Sequence, residues 1–121
     1  MDLRLERIYE PARDDDGFRI LVDRLWPRGV SKERAHLDMW PKDVAPSPGL
    51  RHWWSHDAAR FDEFRERYLA ELEAPDPHRA AALAQLREAI AEHDVVTLLF
   101  GAHDPDVNHA VVLREFLVGD T

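Results

Sequence analysis

The chain has 121 residues, a formal net charge of −8 and no cysteine. This length favours one domain, so we expect a single domain over residues 1–121. The absence of cysteine excludes disulfides, thiolate nucleophiles and cysteine-ligated metal. The negative charge argues against nucleic acid or an anionic membrane as a partner of the whole surface. With no signal-like start and no apolar run of membrane-spanning length, we expect a cytoplasmic protein.

Two strands are predicted near the start of the chain. Apolar residues alternate roughly with charged residues over positions 3–9. The segment FRILVDRL, at 18–25, contains an apolar run without alternation, which is typical of a strand covered on both faces. The turn-forming segment PARDDDG, at 11–17, is short for a parallel crossover, so we expect an antiparallel hairpin.

The region from Trp26 to Ser55 is irregular. It contains all four tryptophans, four of the eight prolines, and both Gly29 and Gly49, a composition that argues against long regular elements. We expect a long Pro/Trp-rich loop with one short helix in SKERAHLDMW, capped by Ser31.

The second half of the chain predicts the order helix, helix, strand, loop, helix. The first helix lies in HDAARFDEFRERYLAELE with Asp57 or Ser55 as its N-cap, and the second covers 78–93. VVTLLF, at 95–100, is a buried strand, and Asn108 caps the last helix. The residues expected to face the core are Phe61, Phe64, Tyr68, Leu72, Leu83, Leu86, Ile90, Val112, Leu113, Phe116 and Leu117. We therefore predict an α/β domain, Rossmann-like, with a small mixed or parallel sheet and helices in two or three layers.

Side chains suited to anion binding follow two of the predicted strands. Arg24, Trp26 and Arg28 follow the first of them, and Asn108 and His109 follow the second. If these strands are parallel neighbours, both groups face one cleft. Guanidinium groups beside an indole suit a planar anion, and a helix start adds backbone N–H groups. A purely structural role, with an arginine in an ion pair and the indole in the core, stays open.

The histidines offer two kinds of chemistry. His56 and His109 are candidates for proton transfer because imidazole titrates near neutral pH. His52 and His56 would share a helix face and, with Asp57 or His109, would hold a metal ion, although no HExxH motif is present. Ser55, His56 and Asp57 are adjacent and cannot converge as a catalytic triad.

Four blocks of the sequence carry a family resemblance: LVDRLWPRGVSKE, APS, LRHWWSHDAARFDEFRERY and VTLLFGAHDPDVNHAVVLREFL. They resemble the YeaO-like proteins of domain-of-unknown-function family 488. The resemblance implies a compact α/β domain and no particular reaction. Distant members have Cys-His-Arg where this chain has Asn108-His109-Ala110, so thiol chemistry does not carry over. The candidate residues that fall in or near the family blocks are Arg24, Trp26, Pro27, Arg28, Lys42, Ser47, His56, Asp57, Asn108 and His109.

These observations predict a protein that binds an anionic small molecule, either nucleotide-like or a carboxylate or phosphate metabolite. The residues expected to contact the ligand are Arg24, Trp26, Arg28, Lys42, Ser47 and Asn108, with His56 and His109 supplying acid–base catalysis if the protein is an enzyme. Two alternatives stay open: an interaction module with an exposed Trp/Arg patch, and a histidine-based metal-binding protein. No glycine-rich motif identifies a cofactor.

Overall fold

The computed structural model describes residues 2–119, which contain a parallel sheet of three strands in the order β1-β3-β2. The strands are β1 (Asp2–Arg7), β2 (Phe18–Leu21) and β3 (Val95–Phe100). The α-helices are α1 (Lys32–Ala35), α2 (Pro48–Trp54), α3 (Phe61–Glu73), α4 (Pro77–Glu92) and α5 (His109–Gly119). The predicted α/β fold is confirmed. None of the helices within residues 2–119 has the length and apolarity needed to cross a membrane.

The predicted antiparallel hairpin is wrong. Strands β1 and β2 do not pair with each other, because β3 lies between them and pairs in parallel with both. The long apolar run of β3 is buried best at the centre of the sheet, where neighbours shield it on both edges and both faces. The segment between β1 and β2 therefore passes over β3 instead of making a tight turn.

Close packing of this crossing segment against β3 explains why threonine occupies position 97 and glycine occupies position 17. Thr97, buried in β3, donates its hydroxyl hydrogen to the carbonyl oxygen of Asp16 at 2.7 Å. Gly17 has a φ of 67°, and a Cβ atom there would lie 2.1 Å from the carbonyl oxygen of Val95. Only glycine combines the left-handed backbone with this close approach.

Both faces of the sheet are covered, as the apolar run without alternation predicts. Val96, Leu98 and Phe100 project into the main core, which α2 to α5 complete. Leu99 projects to the other face, into a smaller cluster under α1 and the segments around it. The buried apolar residues of β3 are thus divided between two clusters on opposite faces of the sheet.

The predicted helices are present, with small differences at their ends. Ser31 caps α1 by accepting the Arg34 backbone N–H at 3.1 Å. Asp57 caps a short 3-10 turn that leads into α3. The predicted inward positions of α3 to α5 are buried or pack partly buried against the core. The apolar stripes therefore predict correctly which face of each helix packs against the core.

Helix α2 was not predicted from the sequence. Ser47 accepts the Leu50 backbone N–H at 3.2 Å, and Pro48 occupies the first turn. This arrangement of a serine cap followed by proline is a helix start signal. The helix ends at Trp54, before His56. The expectation that His52 and His56 share a helical face is therefore wrong.

A buried charge cluster ties the crossing segment to the sheet. Arg19 donates to Asp16 Oδ2 at 2.5 Å and to the carbonyl oxygen of Ala35, and its Nη1 lies 4.0 Å from Glu6 Oε2. Burial, together with a hydrogen bond to Asp16 and that group's charge, raises the pKa of Glu6. Burial also acts to raise the pKa of Asp16, but hydrogen bonds from Arg13, Glu6 and Arg19 bring it below the usual value.

We expect Glu6→Gln to stabilise the protein at pH 8. Because the folded state raises the pKa of Glu6, it holds that proton more tightly than the unfolded chain, and stability is lost as pH rises through the folded-state pKa. An amide is neutral at every pH and still donates to Asp16. Urea unfolding should show a gain of about 1 kcal/mol at pH 8, which shrinks at pH 4. The exposed Glu10→Gln is the control, and equal effects of both substitutions at pH 8 would refute this account.

Candidate functional site

A cavity of about 290 Å³ opens at the edge of the sheet where all three strands end. Tyr9, Asp23 and Gly101, each just beyond the end of a different strand, contribute to its lining. Parallel strands bring their carboxyl ends to one edge, and ligands of α/β proteins commonly bind there. The other lining residues are Arg24, Leu25, Trp26, Pro27, Ala45, Pro46, Arg51, Trp54, His56, Phe64, Ala102 and His109.

Asp23 joins three elements at the floor of this cavity. Its carboxylate Oδ2 accepts the Gly101 backbone N–H at 2.9 Å, and its backbone carbonyl accepts the Trp40 indole N–H at 2.7 Å. Its Oδ1 lies 3.2 Å from Nε2 of His109, the first residue of α5. The loop after β2, the end of β3 and the start of α5 therefore meet at one carboxylate.

The surroundings of His109 define its tautomer. Nε2 lies 3.1 Å from the carbonyl oxygen of Val22 and 3.2 Å from Asp23 Oδ1, and both of these atoms are acceptors. Nε2 therefore carries a hydrogen, which it donates to Val22, while Asp23 Oδ1 is buried without a formal hydrogen bond. Within residues 2–119, Nδ1 has no hydrogen-bond partner.

Arg24 lines the cavity, but its guanidinium already contacts acceptors of the protein. Its guanidinium lies 3.2 Å from Asp43 Oδ1 and donates to the carbonyl oxygens of Ala45 at 3.3 Å and Pro46 at 3.4 Å. These contacts hold the segment before α2 against the loop after β2. Arg24 therefore shapes the wall, and most of its donors are occupied.

Aromatic side chains form the apolar walls. Trp26 donates its indole N–H to the Val30 carbonyl at 2.7 Å and meets the Trp40 ring edge-on, with centroids 5.4 Å apart. Trp54 is buried and stacks on Phe64 with centroids 4.0 Å apart. Since protein partners hold these rings, the walls are preformed.

Arg51 is the cavity arginine that has no protein partner. Its side chain is exposed, and its guanidinium makes no hydrogen bond or ion pair within residues 2–119. It stands one turn before Trp54 on α2, so the helix brings an unpaired cation and an aromatic wall to the same cavity.

His56 enters the cavity from an uncommon backbone conformation. Ser55 and His56 both have left-handed φ values, 48° and 57°. The imidazole lies against the Trp54 ring, with centroids 4.9 Å apart, and makes no hydrogen bond to residues 2–119. Left-handed conformations cost about 1 kcal/mol or more outside glycine, and they concentrate at functional sites.

The electrostatic surroundings of His56 are cationic. Burial lowers the pKa of His56, and the charges of His109 and Arg51 lower it further, while Asp23 acts in the opposite direction. Burial disfavours a charge of either sign, whereas the contributions of the neighbouring cations would favour an anion beside His56.

Four of the six residues predicted to bind ligand lie outside this cavity lining, and two of the four are the cations Arg28 and Lys42. Arg28 is exposed, and its backbone carbonyl accepts the Tyr9 hydroxyl at 3.0 Å. Lys42 places its ammonium group 4.3 Å from the centroid of the Trp40 ring. The sequence alone could not separate them from Arg24, because all three are cationic side chains.

Ser47 and Asn108 act as helix caps next to the site. Ser47 donates its hydroxyl hydrogen to Glu71 Oε2 at 2.5 Å, in addition to capping α2. Asn108 is fully buried, accepts the Val111 N–H at 3.0 Å and donates to the Asp104 carbonyl at 2.8 Å. Neither lines the cavity at the strand ends, but their capping positions Arg51 and His109 in it.

The structure gives different results for the two alternatives, the metal site and the Trp/Arg patch. Within residues 2–119, no cluster of three or more histidine or acidic side chains has the arrangement of a metal site. A Trp/Arg patch does exist away from the cavity: Arg60 and Arg67 lie 5.3 and 4.3 Å from the Trp53 ring centroid. Those arginines are paired with Asp57 and Glu63.

Arg51 and Asp23 are not among the site residues predicted from the sequence. The signal for Arg51 was the helix start at Ser47-Pro48, from which the helical spacing places Arg51 and Trp54 on one face. For Asp23, no local signal exists, since its partners lie far along the chain.

Comparison with known proteins establishes the class. Over residues 2–121 the chain matches the family DUF488-N3i, described as "Inactive DUF488-N3 subclade", and it belongs to that family. It is 44% identical to Uncharacterized protein Rv3073c of Mycobacterium tuberculosis (strain H37Rv), over 97% of this chain and 94% of that protein. It is 43% identical to Uncharacterized protein YeaO of Escherichia coli (strain K12), over 97% of both. The family resemblance predicted from the sequence is confirmed. No solved structure matches the chain.

We expect Gly101→Ala to destabilise the protein by about 1–2 kcal/mol, because the new Cβ atom would lie 2.9 Å from Asp23 Oδ2 and displace the carboxylate from its hydrogen bond. Denaturant unfolding measures this loss, and the NMR signals of the His109 ring should shift with it. Gly49→Ala is the matched control, since its Cβ atom meets nothing within 4 Å. Unchanged His109 signals in Gly101→Ala would contradict the proposed coupling.

Proposed function

We propose that the protein binds an anionic small molecule in the cavity at the carboxyl edge of the sheet. The observation that carries this proposal is the unpaired guanidinium of Arg51 on the cavity wall. A guanidinium group offers two parallel N–H donors to a carboxylate or phosphate. Elsewhere in the same wall, Arg24 is occupied by protein acceptors, so Arg51 has donors available for a ligand.

The charge around the cavity supports an anion over a cation. The protein carries a formal net charge of −8, so its surface as a whole does not attract anions. Arg51 nevertheless lines one concave surface together with His56 and His109, which add positive charge only when protonated. Asp23 is the acidic residue in this lining, and it is engaged with Gly101 and faces His109.

The size and walls of the cavity support a small ligand with an apolar or ring-shaped body. A volume of about 290 Å³ is near the lower end of the range for small-molecule sites, roughly 300–1,000 Å³. Trp26 and Trp54 contribute fixed aromatic surface. Leu25, 59% exposed, adds an apolar side chain to the lining. Apolar walls with a few polar groups are typical of ligand pockets.

Binding is favoured over catalysis. The lining residues include no serine, threonine, cysteine or lysine that would act as a nucleophile. The family description as an inactive subclade points in the same direction. In this proposal His56 and His109 contact the ligand and respond to its charge, without transferring a proton in a reaction.

The cavity is also favoured over the Trp53 patch as the binding site. Arg60 and Arg67 each have an acidic partner, so a new anion would compete with an existing ion pair. Arg51 has no such competitor within residues 2–119. The free energy of anion binding is therefore expected to be more favourable at the cavity.

We expect Arg51→Gln to weaken anion binding by about tenfold to a hundredfold, the effect of losing a charged hydrogen-bonding group. Isothermal titration calorimetry with a panel of carboxylates and phosphate monoesters, including phenyl phosphate and inorganic phosphate, would measure it. Arg28→Gln is the matched control, because Arg28 is exposed but outside the lining. Equal losses in the two variants, or no binding by any member of the panel, would overturn the proposal.

We also expect an anion bound beside Arg51 to raise the pKa of His56. In the free protein, burial and the neighbouring cations keep that pKa below its usual value; a bound anion offsets the cations and stabilises the imidazolium. By linkage, affinity then increases as the pH falls through the pKa of His56. NMR titration of the His56 ring with and without phenyl phosphate measures the shift, with the exposed His36 as an internal reference. A pKa of His56 that ligand leaves unchanged would contradict contact at this place.

A further inference from the structure

A second cavity of about 390 Å³ adjoins the first. The two share His56, Gly101 and Ala102, so the backbone just after β3 forms a common border with the His56 side chain. The second cavity adds Ala58, His103, Asp104 and Val107 to the lining. A ligand in the first cavity thus has a place to continue beyond His56.

The two cavities differ in the exposed, formally charged side chain that each contributes. Arg51 lines the first, and the acidic Asp104 lines the second, with Asp106 close by in the chain. Asp104 Oδ1 accepts the backbone N–H groups of Asp106 at 2.8 Å and Val107 at 3.1 Å. Its Oδ2 accepts no hydrogen bond within residues 2–119 and is available to a ligand.

Residue His56 lies where the cavities meet. Its ring is positioned by the backbone conformation and by contact with Trp54, without hydrogen bonds to residues 2–119. The left-handed backbone at Ser55 and His56 directs the ring to this place, where it rests on Trp54. Strained backbone that persists in a folded protein is a reason to look for a functional role. Contact with a ligand that passes from one cavity to the other would supply such a role.

We propose that the ligand is a zwitterion, with its anionic group at Arg51 and a cationic amine arm that reaches Asp104 past His56. This inference rests on the proposed function, because it takes the first cavity as the anion site. A second anionic group in the arm would meet the Asp104 carboxylate and be repelled, whereas an ammonium group would pair with its free oxygen. The cleft therefore selects opposite charges at its two ends.

The test uses two probes that differ in one group. Phosphotyramine carries a phosphate, an aromatic ring and an aminoethyl arm, and its isostere has a methyl group in place of the ammonium. Isothermal titration calorimetry should show that phosphotyramine binds the protein about fivefold more tightly than the isostere, the upper range for one exposed ion pair. Raising the salt concentration should reduce this preference.

Asp104→Asn should abolish the preference without unfolding the loop, because the amide oxygen still accepts the two backbone N–H groups. Asp94→Asn is the control: Asp94 immediately precedes β3, at the opposite edge of the sheet. The preference must survive in this control for the inference to stand.

The remaining outcomes separate the two proposals. If both probes bind equally well and both depend on Arg51, the zwitterion inference fails and the anion site stands. A preference for phosphotyramine that persists in Asp104→Asn also overturns the inference. If neither probe binds at millimolar concentration, the anion site and the zwitterion inference fail together.

Discussion

The clamp around Asp23 is the interaction on which the rest of the site depends. One carboxylate accepts the Gly101 N–H and faces the His109 ring, while the backbone of the same residue accepts the Trp40 indole N–H. These contacts join the ends of β2 and β3 to the start of α5. A partly buried carboxylate tolerates the loss of such partners poorly, because an unpaired charge away from water is costly. The floor of the cavity is therefore fixed by three elements at once.

Arginines that maintain the fold differ from Arg51 in the acceptors that surround them. Arg24 and Arg19 are chemically equivalent to Arg51, yet both are enclosed by carbonyl and carboxylate acceptors of the protein. Arg51 has none of these acceptors, because α2 presents it to the open space above the strand ends. The free guanidinium, the aromatic walls and the left-handed backbone at His56 support the proposal of a binding site in a family described as inactive.

The sequence predicted the helices and strands more accurately than the way the strands pair. Strand β3, helices α3 to α5 and the Ser31 and Asn108 caps could be read from apolar spacing and capping residues, because these depend on neighbours within a few positions. The hairpin was wrong because strand pairing is a competition between distant segments, and β3 lies far along the chain. Helix α2 was missed because prolines and glycines outweighed a start signal that Ser47 and Pro48 do contain.

The same division holds for the candidate site. By itself, the sequence determined that arginine, tryptophan and histidine would follow the strands, and the parallel sheet brings those strand ends to one edge. Only the tertiary structure decided that Arg24 is engaged, that Arg28 and Lys42 lie outside the cavity lining, and that Arg51 faces it unpaired. The physical reason is that a side chain's chemistry is local, whereas its availability depends on the acceptors that distant segments bring next to it.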